Sequence, residues 1–346
     1  MTVPAQAADI LGLLAPLTVA AAAVLSAGLI VLLLPMLQRH ALAKPNTRSS
    51  HVEPTPQGGG IAVIVATALV ALAAVTLTSP PGERVELAWV LGAAALMAAV
   101  GAIDDMRTMP VLPRLLLQVL AVAVVVAALP AELRVAPPLP WWVERALLGV
   151  AALWFVNLVN FMDGIDWMTV AETVPLAGGL VAIGWLGALP PAATIAALAL
   201  LGAVLGFAPF NRPVARLFLG DVGSLPIGLL LAWLLMLLAL GGHVAAALLL
   251  PLYYLADASL TLARRLIAGE RVWQAHRTHF YQRATDGGFT VIEIVGRVFV
   301  VNVVLAALAF VSVTVPAWWM SVATLAVGAV LVAWLLRAFA RGHTRA

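Results

Sequence analysis

Five short stretches carry the residues whose types and spacing suit chemistry. One ends in the adjacent pair Asp104-Asp105. Adjacent carboxylates repel, so such a pair needs a cation, a proton or full solvation. At a helix C-terminus the helix dipole disfavours them further. A second stretch sets Asn157, Asn160, Asp163 and Asp166 at intervals of three, with Gly164 letting the chain turn. On a helix, steps of three drift by about 60° each, so these side chains form one slanted stripe. Two amides and two acids on one stripe fit badly with lipid contact, which favours a functional reading over chance or helix–helix glue. A third stretch places Asp221 between Gly220 and Gly223, after Asn211. Glycine-flanked acids occur in plain turns, but they also suit a metal-bound phosphate, because main-chain N–H groups and an acid face one point.

The other two stretches are basic. Lys44 to His51 includes Arg48 and is followed by Pro54, Pro56 and Gly58-Gly59-Gly60. It reads either as an ordinary basic loop or as a phosphate-contacting loop whose glycines allow close backbone approach. The stretch from Arg264 to Thr290 contains Arg264, Arg265, His276, Arg277, His279, Tyr281 and Gln282. Arginine suits phosphate recognition. The alternative is a basic loop along the headgroup layer. His276 and His279 alone are too few for a structural zinc site. Together, five acids (Asp104, Asp105, Asp163, Asp166 and Asp221) with several arginines and a histidine make a set for Mg²⁺-assisted phosphate chemistry.

The elements that position these residues follow from composition. The 346-residue chain is 63% hydrophobic and 10% charged. A soluble domain is about 45–50% apolar and about 25% charged, so a soluble globular protein, a disordered chain and a basic nucleic-acid binder are all excluded. Cysteine is absent, which removes disulfides, Cys metal sites and thiol nucleophiles. A bilayer core needs roughly 20 apolar residues as helix. Eleven runs qualify, at about 10–37, 58–77, 87–103, 111–129, 143–161, 173–189, 192–209, 222–240, 244–263, 293–314 and 318–338. Pro190-Pro191 divides the sixth from the seventh. The fourth is the least regular, with Arg114 in its first turn. The first run is not a signal peptide on this reading, being too long and lacking a basic residue before it.

The expected fold is therefore a single all-α polytopic membrane domain over residues 1–346, without a fixed-period repeat. With the N-terminus outside and the C-terminus inside, only Arg84, Arg134 and Arg145 of the 19 Lys and Arg residues fall outside. That asymmetry obeys the positive-inside rule. All five acids then collect at inner helix ends. Asp257 is expected to be the one acid well within a span, either functional or bonded to a neighbouring helix.

These residues resemble the polyprenyl-phosphate N-acetylhexosamine-1-phosphate transferases. The resemblance runs from Pro45 to Gly288, with five motifs in order. Pro45-Asn46 with Arg48-Ser49-Ser50-His51 looks like the family's first loop, and Asp104-Asp105 like its acidic pair. Asn160 with Asp163-Gly164 and Asp166 matches its Asn-x-x-Asp-Gly-x-Asp motif. Asn211 followed by Gly220-Asp221 matches its nucleotide and metal motif. Asp257 with Arg264-Arg265 and the His276–Gln282 loop resembles its last one. Departures are Lys44 for Asp, Gln57 for Arg and Trp167 for Gly. The last loop is closer to the His-Arg-x-His-x-Tyr-Gln form of the branch that initiates O-antigen on modified sugars.

The resemblance implies transfer of a HexNAc-1-phosphate, or a modified N-acetyl sugar-1-phosphate, from a UDP-sugar to undecaprenyl phosphate, releasing UMP. It implies Mg²⁺, with Mn²⁺ as a substitute, held by Asp221 with Asp163. Asp104, Asp105, Asp163, Asp166 and His279 would be catalytic. Arg48, His51, Asn160, Asn211, Arg264, Arg265, His276 and Arg277 would contact substrate. The setting would be the inner face of a bacterial cell membrane, where the step starts a cell-surface glycan. Partners would be the two substrates and the bilayer, with a homodimer open and no nucleic acid. The rival of another class is a polytopic transporter, which would place polar residues near the midplane and often repeat its halves.

Overall fold

A computed structural model of the protein describes residues 5–43, 54–271 and 276–342. Thirteen helices are present among them, and the only strands are the two-residue pair β1 (Leu42–Ala43) and β2 (Thr55–Pro56). The helices are α1 (Ala5–His40), α2 (Gly60–Thr78), α3 (Pro81–Met106), α4 (Val111–Ala128), α5 (Trp141–Met162), α6 (Met168–Trp185), α7 (Pro191–Phe207), α8 (Asp221–Leu240), α9 (Val244–Leu249), α10 (Leu252–Ile267), α11 (Phe280–Asp286), α12 (Val291–Thr314) and α13 (Trp318–Arg341). Nine are long and apolar enough to cross a membrane. The protein is an all-α polytopic membrane protein.

All eleven expected runs are helical. Helix α7 is a shorter apolar helix, and the ninth run is broken into α9 and α10 at Leu250-Pro251. Proline lacks the N–H that would continue the ladder. Boundaries elsewhere follow the same chemistry. Pro81 and Pro191 stand in the first turns of α3 and α7, Gly241-Gly242 ends α8, and Thr290 with Glu293 forms a capping box on α12.

Two expectations change. Helix α5 stops at Met162, so Asp163 is its C-cap and Asp166 lies off the helix. The stripe also divides. Asn157 bonds Gln118 on α4, while Asn160 faces α8. Helix α6 starts at Met168 rather than near 173, which puts Glu172 inside a span. Asp257 is thus not the only intramembrane acid. Glu172 is buried and accepts a hydrogen bond from Asn302 Nδ2 on α12 at 2.6 Å.

Helix α8 is the axis of the bundle, buried along nearly its whole length between α2, α3 and α5. Its N-terminus lies at the same end as the C-termini of α3 and α5, because the chain reverses at every span. That shared end carries the site.

Candidate active site

The site is assembled around the start of α8. Gly220, at φ 77°, turns the chain into the helix, and Asp221 is the first residue. The orphan main-chain N–H groups of a helix start need acceptors. Here they find one on another helix. Asp221 N–H donates to Asp105 Oδ1 (3.0 Å) and Val222 N–H to Asp105 Oδ2 (3.1 Å). Gly101 makes this approach possible, since a Cβ there would sit 2.3 Å from the Asp221 carbonyl. Asp104, its neighbour, points elsewhere. Its Oδ1 accepts Met109 N–H (2.6 Å) and its Oδ2 accepts Arg114 Nη1 (2.8 Å). The same Arg114 Nη1 stands 3.9 Å from Asp221 Oδ2. The adjacent acids therefore do not confront each other.

Asn160 on the last turn of α5 donates through Nδ2 to Asp221 Oδ1 (2.7 Å) and to Ser224 Oγ (2.9 Å). Asp163 accepts from Thr169 Oγ1. Burial pushes the Asp163 carboxyl up to about 7, and the negative charges of Asp105 and Asp166 add to that rise. A nearby cation would reverse it. Asp166 is buried and accepts Ala215 N–H (2.9 Å). Asn211 accepts Trp167 N–H on its Oδ1 (2.7 Å) and donates to Leu217 O (3.0 Å). A cavity of about 210 Å³ is lined by Asp105, Asn160, Asp163, Asp166, Asn211 and Asp221, with Gln57 and Phe218. Six residues expected from sequence thus meet at one cavity.

The histidine loop stands beside that cavity and is not among its lining residues. Asp257 is fully buried. Its carboxylate accepts Phe280 N–H (3.0 Å), Tyr281 N–H (3.2 Å) and Tyr253 OH (3.2 Å), and lies 3.2 Å from His279 Nδ1. It acts as a remote cap for α11. That helix docks on the acidic loop: Tyr281 OH donates to Phe161 O (3.1 Å), and a Cβ on Gly164 would strike the same hydroxyl. His276 stacks on His279 with centroids 4.9 Å apart. Arg264 lies over the Phe280 ring, Arg265 pairs with Glu270 (2.6 Å), and Arg277 pairs with Asp286 (3.5 Å). Arg48 and His51 lie outside the described residues.

Three participants carried too weak a signal to be read from sequence. Arg114 read as a helix-start arginine. Gln57 donates to Asp105 O (2.9 Å), and Thr169 holds Asp163. Gln57 lies 48 residues from its partner, while Arg114 and Thr169 are near theirs but across a turn that no periodicity reads.

Among the described residues, no three His, Asp or Glu side chains form a cage that could hold a metal. That is compatible with Mg²⁺, which is usually bound by one or two carboxylates, waters and substrate phosphates. Asp163 and Asp221 are two hard oxygen donors on one cavity wall, and a cation bound there would lower the raised Asp163 carboxyl.

Fold and site define a class: an all-α membrane enzyme whose polar machinery is gathered at one end of its helices. Residues 87–239, from α3 to α8, match the glycosyl transferase family 4. Over that stretch the chain is similar to the family, and the relatives it resembles are polyprenyl-phosphate sugar-1-phosphate transferases. The chain is 29% identical over 283 residues to the decaprenyl-phosphate N-acetylglucosaminephosphotransferase of Mycolicibacterium smegmatis, covering 72% of this chain and 69% of that protein. It is 22% identical over 308 residues to a probable undecaprenyl-phosphate N-acetylglucosaminyl 1-phosphate transferase of Bacillus subtilis, covering 80% and 81%. A phospho-N-acetylmuramoyl-pentapeptide-transferase of a Synechococcus species is 33% identical over 173 residues, 47% of this chain and 46% of that protein.

Proposed function

We propose that the protein transfers an N-acetyl sugar-1-phosphate from a UDP-sugar to undecaprenyl phosphate, giving the lipid diphosphate sugar and UMP. The observation that carries this reading is a pair of neighbouring cavities walled by the last turns of α5. One is the acidic cavity with Asn160 and Asp163. The other is an apolar groove of about 480 Å³ lined by Leu115, Leu153, Trp154, Phe161, Leu262 and Leu266. A charged soluble substrate suits the first and a prenyl chain suits the second.

In the reaction a lipid phosphate oxygen attacks the sugar-side phosphorus of the donor. The bond to the bridging oxygen breaks, and UMP leaves with the electron pair. Two anions must meet, so charge neutralisation dominates. Bound Mg²⁺, or Mn²⁺, would screen and orient the donor diphosphate. Asp221 and Asp163 are the residues placed to hold it. Asn160 keeps the Asp221 carboxylate aimed into the cavity. Asp105 fixes the start of α8, and Arg114 offers a positive charge between Asp104 and Asp221. A general base is scarcely required, since a phosphate monoester has its second pKa near about 6.

The sequence of the His276–Gln282 loop favours a modified N-acetyl sugar and an O-antigen or other cell-envelope glycan. The charge asymmetry favours a site on the cytoplasmic face of the inner membrane. The assay is purified protein with undecaprenyl phosphate, Mg²⁺ and a panel of UDP-N-acetyl sugars, scoring UMP and lipid-linked product together. Product from at least one donor is expected. Lack of UMP release from every donor would remove the proposal.

A further inference from the structure

Trp167 is the only non-glycine among the described residues with positive φ, at 61° with ψ 1°. This left-handed conformation is unfavourable for any residue with a Cβ, and a bulky aromatic there is an outlier that needs a compensating contact. Two are present. The indole Nε1–H donates to Ala208 O (2.7 Å), just past the end of α7. The Trp167 main-chain N–H donates to Asn211 Oδ1 (2.7 Å). The preceding residue adds a third, from Ala215 N–H to Asp166 Oδ2 (2.9 Å). Two consecutive residues thus hold positions 208, 211 and 215 of the segment that leads to Asp221. The indole itself lies in a wholly apolar cavity with Val170, Ala171, Val295 and Phe299.

Each of the two segments carries half of the site. Asp163 and Asp166 belong to the α5–α6 turn, and Asn211 and Asp221 to the other. We infer that Trp167 is a positioning residue that sets the separation of these halves and orients the Asn211 amide, and so governs sugar-nucleotide binding more than lipid binding. Trp167 is not among the residues lining the apolar groove behind α5. The substrate part of this inference rests on the proposed function; the clamp itself does not.

Two substitutions separate the clamp from a purely conformational role. Trp167→Phe keeps the ring and removes the N–H donor. Trp167→Gly relieves the left-handed conformation and removes the indole altogether. Steady-state kinetics with donor and lipid varied separately should show the donor KM raised about tenfold in Trp167→Phe, the worth of one buried hydrogen bond. The lipid KM should stay within about twofold of the wild type. Trp167→Gly should be at least as impaired, although glycine fits the backbone better. Hydrogen exchange gives a readout without substrate: the Ala215, Arg216 and Leu217 amides should exchange faster in Trp167→Phe, with α8 unchanged. Wild-type donor KM in Trp167→Gly, or unchanged exchange at 215–217 in Trp167→Phe, overturns the inference. If exchange rises but the wild-type protein transfers no sugar phosphate, the clamp stands and the proposed substrates fall.

Discussion

Asp105 caps the helix that begins with Asp221: its two carboxylate oxygens accept the first two main-chain N–H groups of α8, at 3.0 and 3.1 Å. A carboxylate at a helix N-terminus is favoured by the dipole and by the unsatisfied donors there. One member of the acidic pair is therefore oriented by the helix start, and Asp104 by Arg114. The pairing also ties α3 to α8 and sets the direction in which Asp221 enters the cavity.

Asp105→Ala should lower both stability and activity. Two buried donors lose their acceptor, which costs about 2–4 kcal/mol by the usual penalty of an unmade hydrogen bond. Asp105→Asn keeps one acceptor oxygen and should fall between the two. Thermal unfolding in detergent, run beside the transfer assay, checks the order. Equal melting of Asp105→Ala and wild type would remove the capping role.

Asp221→Asn should separate the two properties. The side chain keeps its shape and its oxygen toward Asn160 while losing the charge a metal needs. Transfer should drop by about a thousandfold, the scale of losing a main electrostatic contributor, with insertion and melting near wild type. Near-normal turnover in the purified variant would take the metal role from Asp221.

Asp257 makes a stability prediction of its own. Its carboxylate holds the Phe280 and Tyr281 amides, Tyr253 OH and His279. Asp257→Ala should destabilise by about 2–4 kcal/mol, since several buried donors are orphaned at once. His279→Ala removes only one of the partners of Asp257 and should cost less than Asp257→Ala. Denaturant or thermal melts rank the two, and the reverse order would mean that α11 is held some other way.

The sequence made the helices legible because lipid demands long apolar runs, and prolines and glycines mark their ends. It made Asn160, Asp163, Asp166 and Asp221 legible because polar residues at helix ends of one parity must share a face. Pairings were hidden. Asp105 meets main-chain donors at 221 and 222, which no side-chain pattern reveals. Glu172 fell just outside the expected sixth run, and its partner Asn302 lies on α12. Sequence alone leaves Asp257 open between function and structure, and its bonds to α11 give it a structural task.

The direction of threading makes a further prediction. Sixteen of the 19 basic residues lie on the side assigned to the cytoplasm, a bias that favours an inner C-terminus. The chain has no cysteine, so single introduced thiols report cleanly. Ala131→Cys, in the exposed turn after α4, should react with an impermeant maleimide on intact cells. Ala346→Cys should react only after permeabilisation. The opposite pattern would move the site to the outer face and with it the source of any nucleotide sugar.

Arg114 supplies the last test, because it stands where a metal would also act. Its Nη1 lies 2.8 Å from Asp104 Oδ2 and 3.9 Å from Asp221 Oδ2, so it is the positive charge that links the two acids. Charge-assisted pairs of this partly buried kind are worth about 1–3 kcal/mol. Arg114→Ala leaves Asp104, Asp105 and Asp221 together with one cation fewer, and like charges at this range repel. A divalent cation relieves that repulsion more in the variant than in the wild type. Melting temperature without metal should therefore fall in Arg114→Ala, and the increment on adding Mg²⁺ should exceed the wild-type increment. Arg114→Lys keeps the charge without the planar fork and should recover most of the metal-free stability. If Mg²⁺ raises the melting temperature of Arg114→Ala no more than that of the wild type, Arg114 and the metal do not share the same acids.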